Sequence, residues 1–262
     1  MHMKILGQVF TRLAQASLTL NLAKCEFGKA TVTYLGKQVG QGQVRPVEAK
    51  VTAVAECAVP GTRSDLRRFL GMAGYYRSFC RNFSTVAQPL TRLISPKVDY
   101  VWTPECQHAF ECVKTLLSHA PVLAAPDLAK PFKFEVDASA VGAGAVLLQE
   151  DAAGVDHPVC YFSRKFNKHQ VRYSTIEKET LALLLALQHF EVYVGSSSLP
   201  VAVFTDHNPI VFLSRMYNHN QRLMRWALIV QDYNLQICHK KGSENVFESV
   251  QTGVMCSVVM VL

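Results

Sequence analysis

Three acids interrupt apolar segments of this 262-residue chain. Asp137 closes Phe132-Lys-Phe-Glu-Val136, whose alternation has the period of a half-buried strand. Small residues at Ala138–Gly142 and a second apolar run, Ala143–Leu148, read as the turn and returning strand of a hairpin. Glu179 lies in an apolar helical stretch, Thr175–Tyr193, on the stripe of Ile176, Leu183, Ala186, Leu187 and Phe190, whereas Glu177 falls with Gln188 on the polar arc. Asp206 ends the strand-like Pro200-Val-Ala-Val-Phe-Thr205, before Asn208-Pro209. Alone, Asp137 reads as a turn or edge residue, and Asp206 as a cap on a helix starting near Pro209. Glu179 is different: an acid on a buried stripe needs a metal, a basic partner or a raised pKa. If the three converge, like charge forbids their joint ionisation unless it is compensated. Two Mg²⁺ ions, hard cations suited to carboxylate oxygens, would compensate it, with Mn²⁺ as a substitute. One ion would activate water for in-line attack on a phosphodiester and the other would stabilise the leaving oxygen.

The elements that must position these acids form an α/β unit. His157–Lys165 reads as a third strand, Asn167–Tyr173 as a polar loop, and Asn220–Tyr233 as a helix flanked by Arg222 and Arg225. Leu235–His239 is a fifth strand, followed by a final segment at Ser243–Val250. The order is β-β-β-α-β-α-α-β-α, and in open α/β sheets ligand chemistry gathers at strand carboxyl ends.

The preceding half is mainly helical. An amphipathic helix is expected over 3–17, then a strand over Val32–Val39 that enters a hairpin at Gly40–Gly42 and a short helix over Val47–Cys57. Thr62-Arg-Ser-Asp65 has the form of a capping box opening a helix to about Cys80. Its core stripe is Leu66, Phe69, Ala73, Tyr76 and Cys80; beside it run Arg67, Gly71, Gly74, Ser78 and Arg81. Each helical glycine costs roughly 1 kcal/mol against alanine, so either another helix packs tightly there or something bulky approaches the backbone. A helix over Ser84–Ile94 and another from Trp102-Thr-Pro-Glu105 to about His119 follow, with a Pro-punctuated linker near 122–130.

Charge is unevenly distributed. Residues 1–125 hold 15 Lys and Arg against 7 Asp and Glu, whereas residues 126–262 hold 12 against 13. A basic half joined to a near-neutral one suits a part that holds a polyanion and a part that does chemistry on it, which favours a nucleic-acid backbone over helix packing at the glycine stripe. The eight cysteines include no CxxC pair, which argues against a zinc site or disulfide framework and for reduced, intracellular thiols. No signal peptide or membrane-spanning run is visible, so a cytoplasmic or nuclear location without membrane partners is expected.

A family resemblance rests on motifs in one order: Tyr34-Leu-Gly36, Leu66-Arg-Arg-Phe-Leu-Gly71, Tyr75-Tyr-Arg77, Phe83-Ser84, Pro89-Leu-Thr91, Trp102-Thr-Pro-Glu-Cys-Gln107, Ala120-Pro-Val-Leu123, Val136-Asp-Ala-Ser139, Tyr173-Ser-Thr175, Glu177-Lys-Glu179, Thr205-Asp-His-Asn-Pro209 and Arg222-Leu-Met-Arg-Trp226. Over about residues 3–248 the chain resembles the polymerase–ribonuclease H segment of a gypsy-type LTR retrotransposon polyprotein. The resemblance implies a ribonuclease H-like mixed five-stranded sheet with flanking helices over 130–250, preceded by a mainly helical reverse-transcriptase thumb and connection over 46–125. Residues 1–45 would be the end of the palm, with Tyr34, Leu35 and Gly36 in the hairpin that grips the primer. The implied partner is an RNA–DNA hybrid, held by the Arg67/Gly71/Gly74/Ser78/Arg81 face, and no small-molecule cofactor is implied. Asp137, Glu179 and Asp206 take the places of the first three metal-binding carboxylates, and His239 that of a histidine thought to help product leave.

Two departures matter. The palm aspartates of the Tyr-x-Asp-Asp motif are absent, so no DNA synthesis is expected unless a palm is supplied separately. The family's closing Asn-x-x-Ala-Asp-x-Leu-Ser-Arg is replaced by Asn245-Val-Phe-Glu-Ser249, then an apolar tail over 251–262. Ser249 stands where the fourth carboxylate belongs, with Glu248 adjacent as a substitute ligand. The expectation is therefore an impaired RNA–DNA hybrid ribonuclease, the alternative a catalytically dead hybrid-binding remnant.

Overall fold

The computed structural model describes residues 2–195, 197–206 and 221–240. The chain divides into two compact units, Met1–Val32 and Thr33–Leu262. In the first, α1 (His2–Gln15) is amphipathic, and a 3₁₀ turn at Leu22–Lys24 is capped by the Asn21 side chain. Phe10 meets Phe27 edge-on at 5.8 Å. Strand β1 (Thr31–Tyr34) runs across the division.

In the second unit, β2 (Lys37–Gly40) and β3 (Gln43–Pro46) form an antiparallel hairpin in register Val39↔Val44. The single strand expected over Val32–Val39 is therefore two. Leu35 and Gly36 intervene at φ of +46° and +65°, a left-handed turn that extended backbone cannot contain. The turn is clamped from outside: the Tyr76 hydroxyl donates to Gly36 O at 2.9 Å and the Tyr75 hydroxyl donates to Leu35 O.

Helices α2 (Glu48–Ala55), α3 (Arg63–Tyr75), α4 (Phe83–Val86), α5 (Gln88–Leu93) and α6 (Pro104–Ser118) surround one core containing Leu66, Phe69, Phe79, Leu90, Phe110 and Leu117. Thr62 caps α3 by accepting from Asp65 N at 3.2 Å, and Thr103 caps α6 by accepting from Cys106 N at 3.3 Å. The helix expected to reach Cys80 stops at Tyr75 and continues as a 3₁₀ turn, Arg77–Phe79. The helix expected over Ser84–Ile94 divides at Ala87, because Pro89 has no N–H to continue the ladder from the preceding turn. Strand β4 (Leu123–Ala124), within the expected linker, pairs with β3 at Val44↔Leu123.

Strands β5 (Lys133–Ala138), β6 (Gly142–Glu150), β7 (Asp156–Lys165), β8 (Val201–Thr205) and β9 (Leu235–His239) form a mixed sheet in the order β7-β6-β5-β8-β9. The hairpin strands β5, β6 and β7 are antiparallel, while β8 and β9 run parallel to β5. Helix α7 (Thr175–His189) packs Ala182, Leu183, Ala186 and Leu187 into a core with Phe134, Val136, Leu147 and Val203. A short α8 (Glu191–Val194) and α9 (Gln221–Gln231) complete it, α9 contributing Leu223, Ala227 and Val230. The α/β ribonuclease H-like architecture read from the sequence is thus the one adopted. The helix expected to start near Pro209, the segment over 243–250 and the tail over 251–262 lie outside the described residues.

The helical core rests on the β7 side of this sheet. Ser84 N donates to Ser163 Oγ at 3.0 Å, Ser84 Oγ donates to Ser163 O at 2.8 Å, and Arg77 donates to the same carbonyl at 3.1 Å. Among the described residues no helix is long and apolar enough to cross a membrane.

Candidate metal centre

Parallel pairing aligns the carboxyl ends of β5 and β8, and this carries two acids to one place. Asp137 is the penultimate residue of β5, and Asp206 directly follows β8. Gly144 of β6 lies opposite Asp137 in register, so no side chain covers the carboxylate from that strand. Helix α7 brings the third. Its start is fixed by a capping box in which the Glu177 side chain accepts from Ser174 N at 3.0 Å. Two residues on, Glu179 turns inward and is 5% exposed. Carboxylate oxygens of Asp137, Glu179 and Asp206 all lie within 4.8 Å of one another.

This geometry fits a divalent cation. Oxygens sharing one Mg²⁺ at about 2.1 Å stand up to about 4 Å apart, within a small side-chain rotation of what is seen. Glu179 Oε2 is buried and has no hydrogen-bond partner among the described residues, so an acceptor is left for an ion. Burial, and then the charges of Asp137 and Asp206, push the Glu179 pKa up to about 8, against a backbone hydrogen bond from Ala138 that pulls it down. Acids that repel one another this way are held together at neutral pH by a proton or by a metal.

Behind Asp137 lies a charge cluster that sequence reasoning missed. Glu135, read as part of the polar side of β5, is 2% exposed and accepts from Lys240 Nζ at 2.7 Å. Lys240 reaches it from the end of β9 across the Phe204 ring. Arg81 is half-buried here; desolvation lowers its pKa, opposed by Tyr161, Glu135 and Asp137. The only signal was Lys240 itself, and without β9 beside β8 nothing tied it to Glu135.

His239 ends β9, with Nε2 3.0 Å from Asp206 O, which places an exposed imidazole at the rim of the acid cluster. Glu248 and Ser249 lie outside the described residues. Of the expected nucleic-acid face, Arg67 and Gly71 are exposed and Gly74 is half-buried on α3; a Cβ at either glycine would meet nothing within 4 Å. Tight packing against another helix among the described residues therefore does not account for them. Ser78 and Arg81 follow the end of α3, so the five-residue helical stripe is a three-residue one, and Arg81 belongs beside the acids. Tyr34 and Leu35 are exposed, at 64% and 68%, at the turn that Tyr75 and Tyr76 hold.

Residues 102–201 match the family model of the RNase H-like domain found in reverse transcriptase. The Tf2-3 and Tf2-4 transposon polyproteins of Schizosaccharomyces pombe are each 36% identical to the chain over 248 residues, 93% of it. The chain spans only 18% of the length of these relatives. Among solved structures, a foamy viral protease-reverse transcriptase in complex with double-stranded DNA matches with a TM-score of 0.73 and 23% identity, over 92% of this chain and 43% of that one. The same kind of protein in complex with an RNA/DNA hybrid matches at 0.72 and 23%, over 92% and 33%. At these identities the likeness speaks for the fold, while the transposon relatives carry the kinship. Along 93% of its length the chain is thus similar to a segment of retrotransposon polyproteins, and its residues 102–201 match the RNase H-like domain found in reverse transcriptase.

Proposed function

We propose that this chain hydrolyses the RNA strand of RNA–DNA hybrids at a two-cation centre held by Asp137, Glu179 and Asp206. The observation that carries the reading is the convergence of these three carboxylates from β5, α7 and the end of β8. Bound Mg²⁺, with Mn²⁺ as a substitute, would supply an activated water and charge stabilisation for the leaving oxygen. Asp137, Glu179 and Asp206 would together hold the cations through their carboxylate oxygens. Glu179 is ready to exchange its proton for a cation because burial already disfavours its bare charge. His239, at the rim, would help the cleaved strand depart.

The rest of the chain would hold the duplex. In this reading residues 1–45 are the end of a palm, 46–125 a thumb and connection, and 130–250 the nuclease domain, with 251–262 outside the family pattern. Arg67, Gly71 and Gly74 would track the hybrid backbone, the glycines allowing close approach and Arg67 supplying charge. Tyr34, Leu35 and Gly36 would meet the primer end. Such contacts read phosphates and 2′-hydroxyls rather than base sequence.

Incubating a labelled hybrid with the chain in Mg²⁺ and then Mn²⁺ tests this. RNA-strand products that vanish in Asp137→Asn support it, and cleavage surviving in that variant contradicts it. A second reading, a hybrid-binding protein without nuclease activity, is favoured by Ser249 in place of the fourth acid. Tight hybrid binding with no product in either metal would select it.

A further inference from the structure

Beside Asp137 lies a cavity of about 40 Å³ lined by Asn82, Thr85, Asp137, Ser139 and Gly142–Gly144. That volume admits a hydroxyl or a water or two and excludes a base or a phosphate group. Its lining has one carboxylate and no cationic side chain, so it suits a neutral hydrogen-bonding group rather than an anion. Ser139 is already committed, donating to Gly142 O at 3.1 Å and accepting from Val141 N and Gly142 N.

Asn82 and Thr85 are not committed: among the described residues their side chains make no hydrogen bond. Their positions are nevertheless fixed. Asn82 adopts φ +52°, its carbonyl accepts from Thr85 N and Val86 N, and Ser84 between them is bonded to Ser163. Ser163 is opposite Gly144, which is opposite Asp137, so one row across the sheet sets the wall against the acid.

We propose that this cavity receives a ribose 2′-hydroxyl of the RNA strand, with Asn82 and Thr85 as its hydrogen-bonding wall. The inference rests on the hybrid-hydrolase reading and deepens it, because it names the side chains that tell RNA from DNA. Both residues lie outside the family-matched segment 102–201, so strand discrimination is shared between the helical core and the sheet. A deoxyribose leaves the amide and hydroxyl facing an empty space next to the reacting phosphate, and a site built for a hydroxyl rejects the analogue that lacks it.

The test uses the full chain with Ca²⁺ replacing Mg²⁺, to measure binding without cleavage. The ligands are a hybrid, a DNA duplex of the same sequence, and hybrids with single 2′-deoxy substitutions stepped along the RNA strand. Asn82→Gly keeps the left-handed backbone open and removes the amide, while Thr85→Val keeps the shape and removes the hydroxyl. Wild type is expected to favour the hybrid and to lose roughly two- to tenfold at one 2′-deoxy position. Each variant should bind the hybrid about that much more weakly, become indifferent to that position, and bind DNA as before. Variants that keep the full 2′-deoxy penalty, or weaken on both duplexes equally, overturn the inference and leave the hydrolase reading standing. A wild type that does not prefer the hybrid overturns both.

Discussion

Glu179 carries the account at the scale of single residues. Its pKa in the folded chain, about 8, lies above its ordinary 4.5, so the cation-free protein keeps a proton that the unfolded chain releases. Its contribution to stability is whole below about 4.5 and is lost as pH rises through about 8. The melting temperature of metal-free protein should fall across that window, and Glu179→Gln should flatten the fall. Mg²⁺ added near pH 8 should restore wild type and not the variant; a slope that Glu179→Gln leaves unchanged would contradict the assignment. Lys240 gives a second residue-scale prediction. Lys240→Met strands the buried Glu135 carboxylate, and Arg81 nearby compensates only in part, so unfolding in urea should show a loss of about 3 kcal/mol. Glu179 was legible in the sequence because helical periodicity separates it from Glu177. Glu135 was not, because strand alternation says which side a residue faces and not what later covers that side.

At the scale of elements, the site depends on two alignments. Parallel pairing of β5 with β8 brings Asp137 near Asp206, and the serine interlock seats α4 on β7. Ser163→Ala removes the acceptor of Ser84 N and leaves a part-buried donor unsatisfied, at a cost of about 1–3 kcal/mol. Chemical denaturation checks the cost; a neutral result would mean that the interlock does not hold the helical core to the sheet. The hairpin β5–β6, the strands β7 and β9 and helix α7 could be read from apolar runs and periodicity, although β6 and α7 are covered on more than one side. Breaks inside elements could not. The turn at Leu35–Gly36 is held by tyrosines about forty positions away, and α3 stops at Tyr75, short of the Cys80 that its apolar spacing reaches.

For the whole molecule, the proposed function assigns the holding of the duplex to the basic helical half and its cleavage to the near-neutral α/β half. Hybrid affinity should therefore drop steeply with salt, by about 0.7–0.9 in log affinity per log salt for each phosphate neutralised. Gly71 offers a sharper check, because open space surrounds it. Gly71→Leu should leave the melting temperature unchanged or raise it, since leucine is the better helix former by up to about 1 kcal/mol, while weakening hybrid binding. Unchanged binding would remove that face from the duplex path. Charge segregation made this division visible in the sequence, whereas the contribution of residues 81–85 to the acid site required the fold.

The central claim is that three distant acids make one cation-binding centre, and calorimetric titration of the full chain with Mn²⁺ near neutral pH tests it most directly. Wild type should show saturable binding that Asp137→Asn, Glu179→Gln and Asp206→Asn each weaken about tenfold or more, since each removes one of three ligands. Binding that all three variants preserve would place the metal elsewhere and contradict the account.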